Sequence, residues 1–253
     1  MTLNIFIQAR MGSTRLPGKM LALIADKTVL QVLVERLRRV NGRPQIILAT
    51  SSSPENDVLE SEARRLGIAA FRGAEENILD RLYKASQEFP ADLLARVTGD
   101  CPLIDSALID EGRQVLERGG YDMVSNVRVR SYPDGLDFEL FKPAALERAW
   151  QAEQADERGG DVFINPTQYI HHQPNFKEHD LVHEPNLGEL RLTLDHPEDL
   201  EVIRQVYAGL AHNEEFGLQE IVAFLQANPH IVELNKKYVQ LDYGLSPAVG
   251  VTT

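Results

Sequence analysis

Along the first hundred residues, the apolar positions follow the pattern of a strand in some segments and the period of a helix in others. Residues 3–7 form a short apolar run rich in β-formers, which predicts a buried strand that ends near Ala9. The same reasoning predicts further strands over 45–50, 68–71 and 92–97, and helices over 29–40, 53–66 and 75–88. This alternation is typical of an α/β protein with a mainly parallel sheet and helices on both faces.

The pattern changes in the second half of the chain. Residues 159–186 contain three prolines and four of the seven histidines and have no clean period. We interpret the region at about 126–187 as an arm, inserted into a single domain over 1–253, that covers the crevice and contacts a second subunit. Around it we predict strands over 122–126, 136–141 and 190–195, helices over 106–118, 144–155, 200–210 and 218–225, and a loose tail over 245–253.

Composition and charge exclude several classes of function. Lys and Arg number 26 against 38 Asp and Glu, a formal charge of −12, which disfavours nucleic acid as a partner because phosphate backbones need a basic footprint. We find neither a signal-peptide pattern nor a stretch that approaches a transmembrane span, so no membrane partner is expected. Cys101 is the single cysteine and is expected to be a small buried residue. With no intramolecular disulfide possible, we expect a cytoplasmic protein.

The loop after the first strand carries a cluster of positive charge. Arg10, Arg15 and Lys19 lie on this glycine-containing loop, and no acidic residue precedes Asp26. Such a loop predicts a phosphate-binding site, in which backbone N–H groups and cations receive an anion. A basic surface turn without a ligand is the alternative.

Two familiar phosphate-binding loops do not match this stretch. A P-loop has four residues between its glycines, whereas five separate Gly12 from Gly18, and Met20 rather than Ser or Thr follows Lys19. The glycine fingerprint of the Rossmann fold is absent as well.

Two aspartates follow predicted strands and are candidate metal ligands. Asp100 comes directly after the strand at 92–97, and Asp195 ends the strand at 190–195. Ligands of open parallel sheets bind beyond the carboxyl ends of the strands, so Asp100 should share a crevice with the cationic loop. If the two strands are neighbours, both acids could hold a divalent ion against phosphate oxygens. A turn or capping role is the alternative, although Asp105 already suits the cap of the helix at 106–118.

Phosphate-binding cations with two acids suited to Mg²⁺ point to nucleotidyl transfer. An oxygen nucleophile would attack the α-phosphorus in line while pyrophosphate leaves. Arg15 and Lys19 would hold the β- and γ-phosphates, and Arg10 could reach the α-phosphate. Mg²⁺ on Asp100 and Asp195 would bridge the α-phosphate and acidify the attacking hydroxyl. We name no general base.

Four separated stretches resemble the sugar-acid cytidylyltransferases, which activate acylneuraminate or 3-deoxy-manno-octulosonate sugars as CMP conjugates. The string QARMGSTRLPGK at 8–19 resembles their N-terminal signature and is most similar to the spore-coat polysaccharide branch. GDCP at 99–102 and LDHPEDL at 194–200 are similar to the segments that carry the two metal acids. YPDGLD at 132–137 resembles the segment of the spore-coat branch that faces the sugar.

The resemblance implies a Rossmann-like nucleotidyltransferase fold with a mid-chain dimerisation arm, and a homodimer. It implies a reaction in which CMP passes from CTP to a sugar acid for cell-surface polysaccharide biosynthesis. The expected nucleotide-binding residues are Ala9, Arg10, Gly12, Ser13, Arg15, Lys19, Thr98 and Gly99. The expected substrate-binding residues are Tyr132, Asp134, Gly135 and Asp137.

Some alternatives stay open. INPTQYI at 164–170 lacks the histidine that the spore-coat branch usually has there, so the acceptor is undetermined. A nucleotide-sugar glycosyltransferase would share the sheet, but its expected D-x-D motif is missing around Asp100. A non-catalytic nucleotide- or sugar-binding protein is the third possibility. His171, His172, His179 and His183 match no zinc pattern that we can defend, and packing or a substrate contact is the favoured interpretation.

Overall fold

The computed structural model describes residues 1–155, 170, 175–213 and 215–238. Its strands are β1 (Leu3–Gln8), β2 (Leu23–Ile24), β3 (Lys27–Thr28), β4 (Gln45–Ser51), β5 (Ala69–Gly73), β6 (Leu93–Thr98), β7 (Met123–Ser125), β8 (Phe138–Phe141) and β9 (Glu178–Asp180). Its helices are α1 (Val29–Leu37), α2 (Asp57–Arg65), α3 (Ile78–Glu88), α4 (Ser106–Gly119), α5 (Pro143–Gln154), α6 (Pro197–Gly209), α7 (Leu218–Ala227) and α8 (Pro229–Val232).

A seven-stranded sheet with the order β5-β4-β1-β6-β8-β7-β9 forms the centre of the fold. All neighbouring pairs are parallel except those that β8 makes with β6 and β7, which are antiparallel. β1 lies between β4 and β6, with Ile7 opposite Leu48 on one side and Val97 on the other. The prediction of a mainly parallel sheet is confirmed.

Helices pack on both faces of this sheet, as predicted. Successive side chains of a strand point to opposite faces. Ile5 and Ile7 accordingly belong to a core that includes residues of α1, α2, α4, α6 and α7. Phe6 belongs to a second core that includes residues of α3 and α5. Burial on both faces explains why the strands are continuous apolar runs in the sequence.

The predicted strand over 190–195 is wrong. Within it, only an isolated parallel bridge between Arg191 and Asp134 forms. The backbone N–H of Leu192 donates to the carbonyl of Asp134 at 2.6 Å, and the N–H of Leu194 donates to the carbonyl of Asp100 at 2.8 Å. The apolar alternation reflects real burial of Leu192 and Leu194. However, the backbone partners of this segment lie in two loops rather than in one strand.

The predicted start of α3 is also wrong, with a consequence for the site. The helix begins at Ile78 and not at residue 75, because the side chain of Asn77 accepts a hydrogen bond from the N–H of Asp80 and caps it. Residues 75–77 therefore belong to a loop.

Part of the predicted arm falls within the described residues. β8 and β9 are strands of the central sheet, and α5 packs on its second face. Residues 156–169, 171–174 and 239–253, with His171, His172 and the predicted tail, lie outside the described residues. No helix in the described ranges is long and apolar enough to cross a membrane.

Candidate active site

The loop that follows β1 is fastened to the neighbouring strand β4 by a buried asparagine. The Asn56 side chain accepts a hydrogen bond from the N–H of Met11 at 2.8 Å and donates one to Ser51 Oγ at 2.8 Å. Asn56 is fully buried, so these bonds are protected from water. They fix where the cationic loop leaves the sheet.

Gly99 lets this loop pack against the turn that follows β6. A Cβ atom at Gly99 would lie 2.7 Å from the sulfur of Met20 and 2.8 Å from the Cβ of Ala9. Any other residue would push the two segments apart. Gly99 therefore permits the close approach of Ala9 and Met20 to this turn.

A cavity of about 760 Å³ opens at the carboxyl ends of β1 and β6. It is lined by all the residues that we predicted to bind nucleotide or metal, which are Ala9, Arg10, Gly12, Ser13, Arg15, Lys19, Thr98, Gly99, Asp100 and Asp195. Residues separated by most of the chain thus meet at one edge of the sheet, where ligands of open α/β sheets bind.

Lys19 lies at the centre of the charged groups in this cavity. Its Nζ is 3.0 Å from Asp195 Oδ1, 3.3 Å from Asp100 Oδ2 and 2.8 Å from the carbonyl oxygen of Leu194. Burial alone would lower the pKa of Lys19, but the two carboxylates outweigh burial and raise this pKa above its ordinary value. Lys19 is therefore a fixed positive charge at any physiological pH.

Asp195 also pairs with Arg15, a second cation of the loop that follows β1. Arg15 NH2 lies 2.6 Å from Asp195 Oδ2, although the Arg15 side chain is 44% exposed. Burial would raise the pKa of Asp195, yet Lys19 and Arg15 hold it below its ordinary value. The carboxylate is thus ionised and able to bind a cation.

Asp100 and Asp195 come together although Asp195 does not end a strand. The backbone of the segment before Asp195 bonds to the carbonyl of Asp100, through the N–H of Leu194 at 2.8 Å and the hydroxyl of Thr193 at 3.3 Å. The expectation that the two acids lie near each other holds, but a loop contact brings this about and not a pair of neighbouring strands.

Asp199 fixes the position of Asp195. The sequence analysis included Asp199 only as part of the LDHPEDL segment at 194–200. Its carboxylate is fully buried and accepts hydrogen bonds from the backbone N–H groups of Asp195 at 3.0 Å and His196 at 2.9 Å. It also accepts two from the Arg191 guanidinium at 2.9 Å and one from Asn235 at 2.9 Å. The only sequence signal for this role was an acidic residue three positions after His196, the N-cap of α6.

Arg81 is a second residue that the sequence analysis missed. It lines the cavity, and its buried guanidinium donates to the carbonyl oxygens of Ala74 and Glu75. Burial, with Arg10 and Arg96 nearby, lowers the pKa of Arg81 to about 10. The predicted helix over 75–88 began too early, so the sequence did not show that residues 75–78 line the cavity. Arg81, which lies next to them, was missed for this reason.

The predicted substrate-binding residues lie beside this cavity and not on its lining. Asp134 accepts a hydrogen bond from Arg191 at 3.1 Å, and Asp137 accepts one from Arg130 at 2.7 Å. Burial, together with Asp137, raises the pKa of Asp134 to about 7 in spite of both arginines. Burial likewise raises the pKa of Asp137. The two form a partly buried pair of carboxyl groups, with side chains that are 14% and 20% exposed.

Gly135 is required where this segment meets residues 190–193. Its φ is +103°, and a Cβ there would lie 2.3 Å from the carbonyl carbon of Leu192 and the nitrogen of Thr193. Only glycine permits that approach.

Tyr132 is separated from the other predicted substrate residues. It lines a second cavity of about 590 Å³ with Glu111, His183 and Leu218, and its ring packs edge-on against His183 at 5.3 Å. His179 packs against Tyr121 at 5.0 Å. Both described histidines of the predicted cluster thus make packing contacts with tyrosines.

The donors in the first cavity fit a magnesium ion. Magnesium is usually held by one or two carboxylates together with substrate phosphates, and not by a complete protein cage. Asp100 and Asp195 supply two carboxylates beside the Leu194 carbonyl. In the part of the chain that the structure describes, no group of three or more His, Cys, Asp or Glu residues could hold a metal ion. Cys101 is buried, and burial raises the pKa of its thiol.

Comparison with known sequences gives a family and several relatives. The family profile described as cytidylyltransferase matches residues 5–231. The chain is 33% identical over 243 residues to the uncharacterised protein MJ1063 of Methanocaldococcus jannaschii, covering 94% of this chain and 96% of that protein. It is 30% identical over 231 residues to the spore coat polysaccharide biosynthesis protein SpsF of Bacillus subtilis, covering 88% and 93%. It is 34% identical over 113 residues to the 3-deoxy-manno-octulosonate cytidylyltransferase of Geobacter sulfurreducens, 44% of each protein.

Solved structures agree with these sequence matches. A cytidylyltransferase from Leptospira borgpetersenii superposes with a TM-score of 0.85 and 28% identity, over 96% of this chain and all of that one. CMP:2-keto-3-deoxy-manno-octonic acid synthetase in complex with CTP gives a TM-score of 0.59 at 21% identity, over 83% of this chain and 99% of that one. The second likeness shows the fold, and the predicted nucleotidyltransferase fold is confirmed.

Proposed function

The chain belongs to the cytidylyltransferase family, and we propose that it transfers CMP from CTP to a sugar acid of the acylneuraminate or 3-deoxy-manno-octulosonate type. Pyrophosphate is released, and the product serves cell-surface polysaccharide biosynthesis. The observation that carries this proposal is the cavity at the ends of β1 and β6, where Arg10, Arg15 and Lys19 lie with two carboxylates. SpsF and the octulosonate enzyme support the acceptor class and the pathway.

The cationic loop binds the triphosphate and stabilises the transition state. The acceptor hydroxyl attacks the α-phosphorus, the bond to the bridging oxygen breaks, and pyrophosphate leaves with the electron pair. Arg15 and Lys19 hold the leaving β- and γ-phosphates, and Arg10 contacts the α-phosphate. Loss of one such cation typically costs on the order of a hundredfold or more in rate. Asp100 and Asp195 would hold Mg²⁺, which when bound supplies charge neutralisation and acidifies the hydroxyl.

The acceptor lies on the side of the cavity nearest to Asp134 and Asp137. Gly135 shapes this side by letting the 132–137 segment pack against residues 192–193, whereas Tyr132 faces the second cavity. We further propose a homodimeric cytoplasmic enzyme whose single domain carries an arm at about 126–187. Size-exclusion chromatography with light scattering tests the dimer, since a monomer mass of 28.4 kDa would exclude it.

Pyrophosphate release tests the function directly. The protein is offered CTP, UTP, ATP and GTP with Mg²⁺, each with a panel of 2-keto sugar acids. We expect release with CTP and one sugar acid, lost in Asp100→Asn. Asp110→Asn is the matched control and should retain activity. Asp110 accepts a hydrogen bond from the N–H of Asn41 and lies outside the cavity.

The other outcomes separate the alternatives. Release with UTP in place of CTP would contradict the cytidylyltransferase assignment. Binding of CTP without turnover on any acceptor would favour a non-catalytic binding protein. Transfer of a sugar from a nucleotide sugar without pyrophosphate would indicate a glycosyltransferase.

A further inference from the structure

One cation of the phosphate-binding loop lies where a metal ion would bind. Lys19 Nζ contacts a carboxylate oxygen of Asp100, a carboxylate oxygen of Asp195 and the carbonyl oxygen of Leu194. The Lys19 side chain is only 12% exposed, so its ammonium group lies inside the cluster and not at its edge. These oxygens are the hard donors that a divalent cation prefers.

A divalent cation and the Lys19 ammonium compete for the same oxygens. Two like charges a few ångströms apart repel strongly in a partly buried site, where water screens them less than in bulk solution. A cation that enters between Asp100 and Asp195 therefore meets a positive charge that is already paired with both of them. Arg15, 2.6 Å from Asp195, adds to this barrier.

A triphosphate changes this balance because it offers the lysine another partner. Lys19 reaches the carboxylates through a flexible four-carbon chain, and its ammonium group can pair with a phosphate as readily as with a carboxylate. The cavity that Lys19 lines also contains Arg10 and Arg15, so the phosphates bind next to it. When Lys19 turns to a phosphate, the two carboxylates are left to a metal ion.

We propose that Lys19 keeps the divalent-cation site closed until a nucleoside triphosphate draws its ammonium group away. The protein alone then binds a divalent cation weakly and binds it tightly only together with the nucleotide. Binding is reciprocal, so the cation strengthens nucleotide binding by the same factor. This inference rests on the proposed function, because it assumes that the cavity accepts CTP.

Manganese binding to the protein without nucleotide gives the first test. Free Mn²⁺ is measured by electron paramagnetic resonance for the unchanged protein, Lys19→Met and Lys19→Arg. We expect Lys19→Met to bind Mn²⁺ at least about tenfold more tightly than the unchanged protein, because the competing charge is gone. Lys19→Arg keeps the charge and should bind weakly. Adding Asp100→Asn to Lys19→Met should abolish the gain and so locate the ion.

Lys27→Met is the matched control for the loss of a lysine. Lys27 pairs with Glu35 at 2.7 Å away from the cavity lining, so its removal should leave Mn²⁺ binding unchanged. Unchanged or weaker Mn²⁺ binding by a folded Lys19→Met protein would overturn the inference. Thermal unfolding establishes that this variant is folded.

The second test uses the unchanged protein and does not depend on any variant. Enhancement of water-proton relaxation separates Mn²⁺ on the protein from Mn²⁺ on free CTP. We expect CTP to tighten Mn²⁺ binding to the protein by at least about tenfold. Equal Mn²⁺ affinity with and without CTP would overturn the inference. Neither test requires turnover, so failure to release pyrophosphate contradicts the proposed function and not this coupling.

Discussion

Two arginines pair with aspartates near the start of α6, Arg15 with Asp195 before the helix and Arg191 with Asp199 in its first turn, and they differ in how firmly they are held. Arg15 NH2 lies 2.6 Å from Asp195 Oδ2, and the Arg15 side chain is 44% exposed. Arg191 makes two bonds to the fully buried Asp199, reaches Asp134 at 3.1 Å and is 10% exposed. The first pair can be exchanged for a ligand, whereas the second holds the loop in place. An ion pair between the same residue types thus serves binding in one place and architecture in the other.

The largest effect on stability is expected when the pair between Arg191 and Asp199 is broken. Asp199→Asn removes the charged carboxylate that takes two bonds from the buried Arg191, leaving Asp134 at 3.1 Å and Asp195 at 3.9 Å, and should lower the free energy of unfolding by about 3–5 kcal/mol. Chemical denaturation measures this change. Asp57→Asn, at a surface pair with Arg72, is the control and should change stability little. A stability loss below about 1 kcal/mol would mean that Asp199 does not have the architectural role assigned here.

A smaller effect, on the rate of catalysis and not on stability, is expected at the cavity. Arg15→Gln should lower kcat by about a hundredfold, because a cation that stabilises the leaving pyrophosphate is removed. Its unfolding midpoint should stay close to that of the unchanged protein, since the Arg15 pair is half exposed. Steady-state kinetics and thermal unfolding are measured on the same preparation. A loss of stability equal to that of Asp199→Asn would erase the distinction between the two arginines.

The carboxyl pair of Asp134 and Asp137 should make stability depend on pH. Asp134 has a pKa of about 7 in the folded protein and about 3.9 when unfolded. Between these values only the folded state holds the proton, so the free energy of unfolding falls as pH rises from about 4 to 7 and then levels off. At higher pH the Asp134 contribution is lost.

Asp134→Asn separates this effect from the titration of every group except Asp137, whose charge acts on Asp134. The asparagine does not titrate, so the variant should gain stability relative to the unchanged protein by about 1 kcal/mol or more between pH 5 and pH 7. Urea denaturation at both pH values measures the difference. A constant difference between the two proteins would contradict the raised pKa.

The smallest effect is expected for the control lysine. Lys27 and Glu35 are 37% and 29% exposed, so Lys27→Met should change stability by at most about 1 kcal/mol and leave activity intact. Lys19→Met differs from it in losing a cation that lies between two carboxylates of the cavity. A loss of activity in Lys27→Met would mean that removal of any lysine disturbs the fold.

Local patterns in the sequence predicted much of the fold. The strands β1, β4 and β6 and the helix α4 with its Asp105 cap lie close to the predicted positions. Periodicity and capping depend on residues within one or two turns of each other, so a sequence contains them in full. The lining residues between Ala9 and Lys19 and between Thr98 and Asp100 could be selected for the same reason, since they lie at or after the recognisable ends of β1 and β6.

The errors occurred where contacts are distant in the sequence. Alternation shows that residues 190–195 could form a strand, but not that their backbone partners are loops around Asp100 and Asp134. Tyr132 and Asp134 are close in the chain, yet they face different surroundings. Asp199 bonds to backbone groups three and four residues away, but its complete burial and its bond from Asn235, 36 residues away, depend on the tertiary structure.

The sequence by itself determined the alternation of strands and helices, the cationic loop, and the two acids at the ends of their segments, because these depend on local chemistry. Tertiary structure alone decided that Lys19 meets Asp100, 81 residues away, and Asp195, 176 residues away. It also decided which arginine is exposed and which is buried. Burial and distance set the strength of a charge pair, and both are properties of the folded chain.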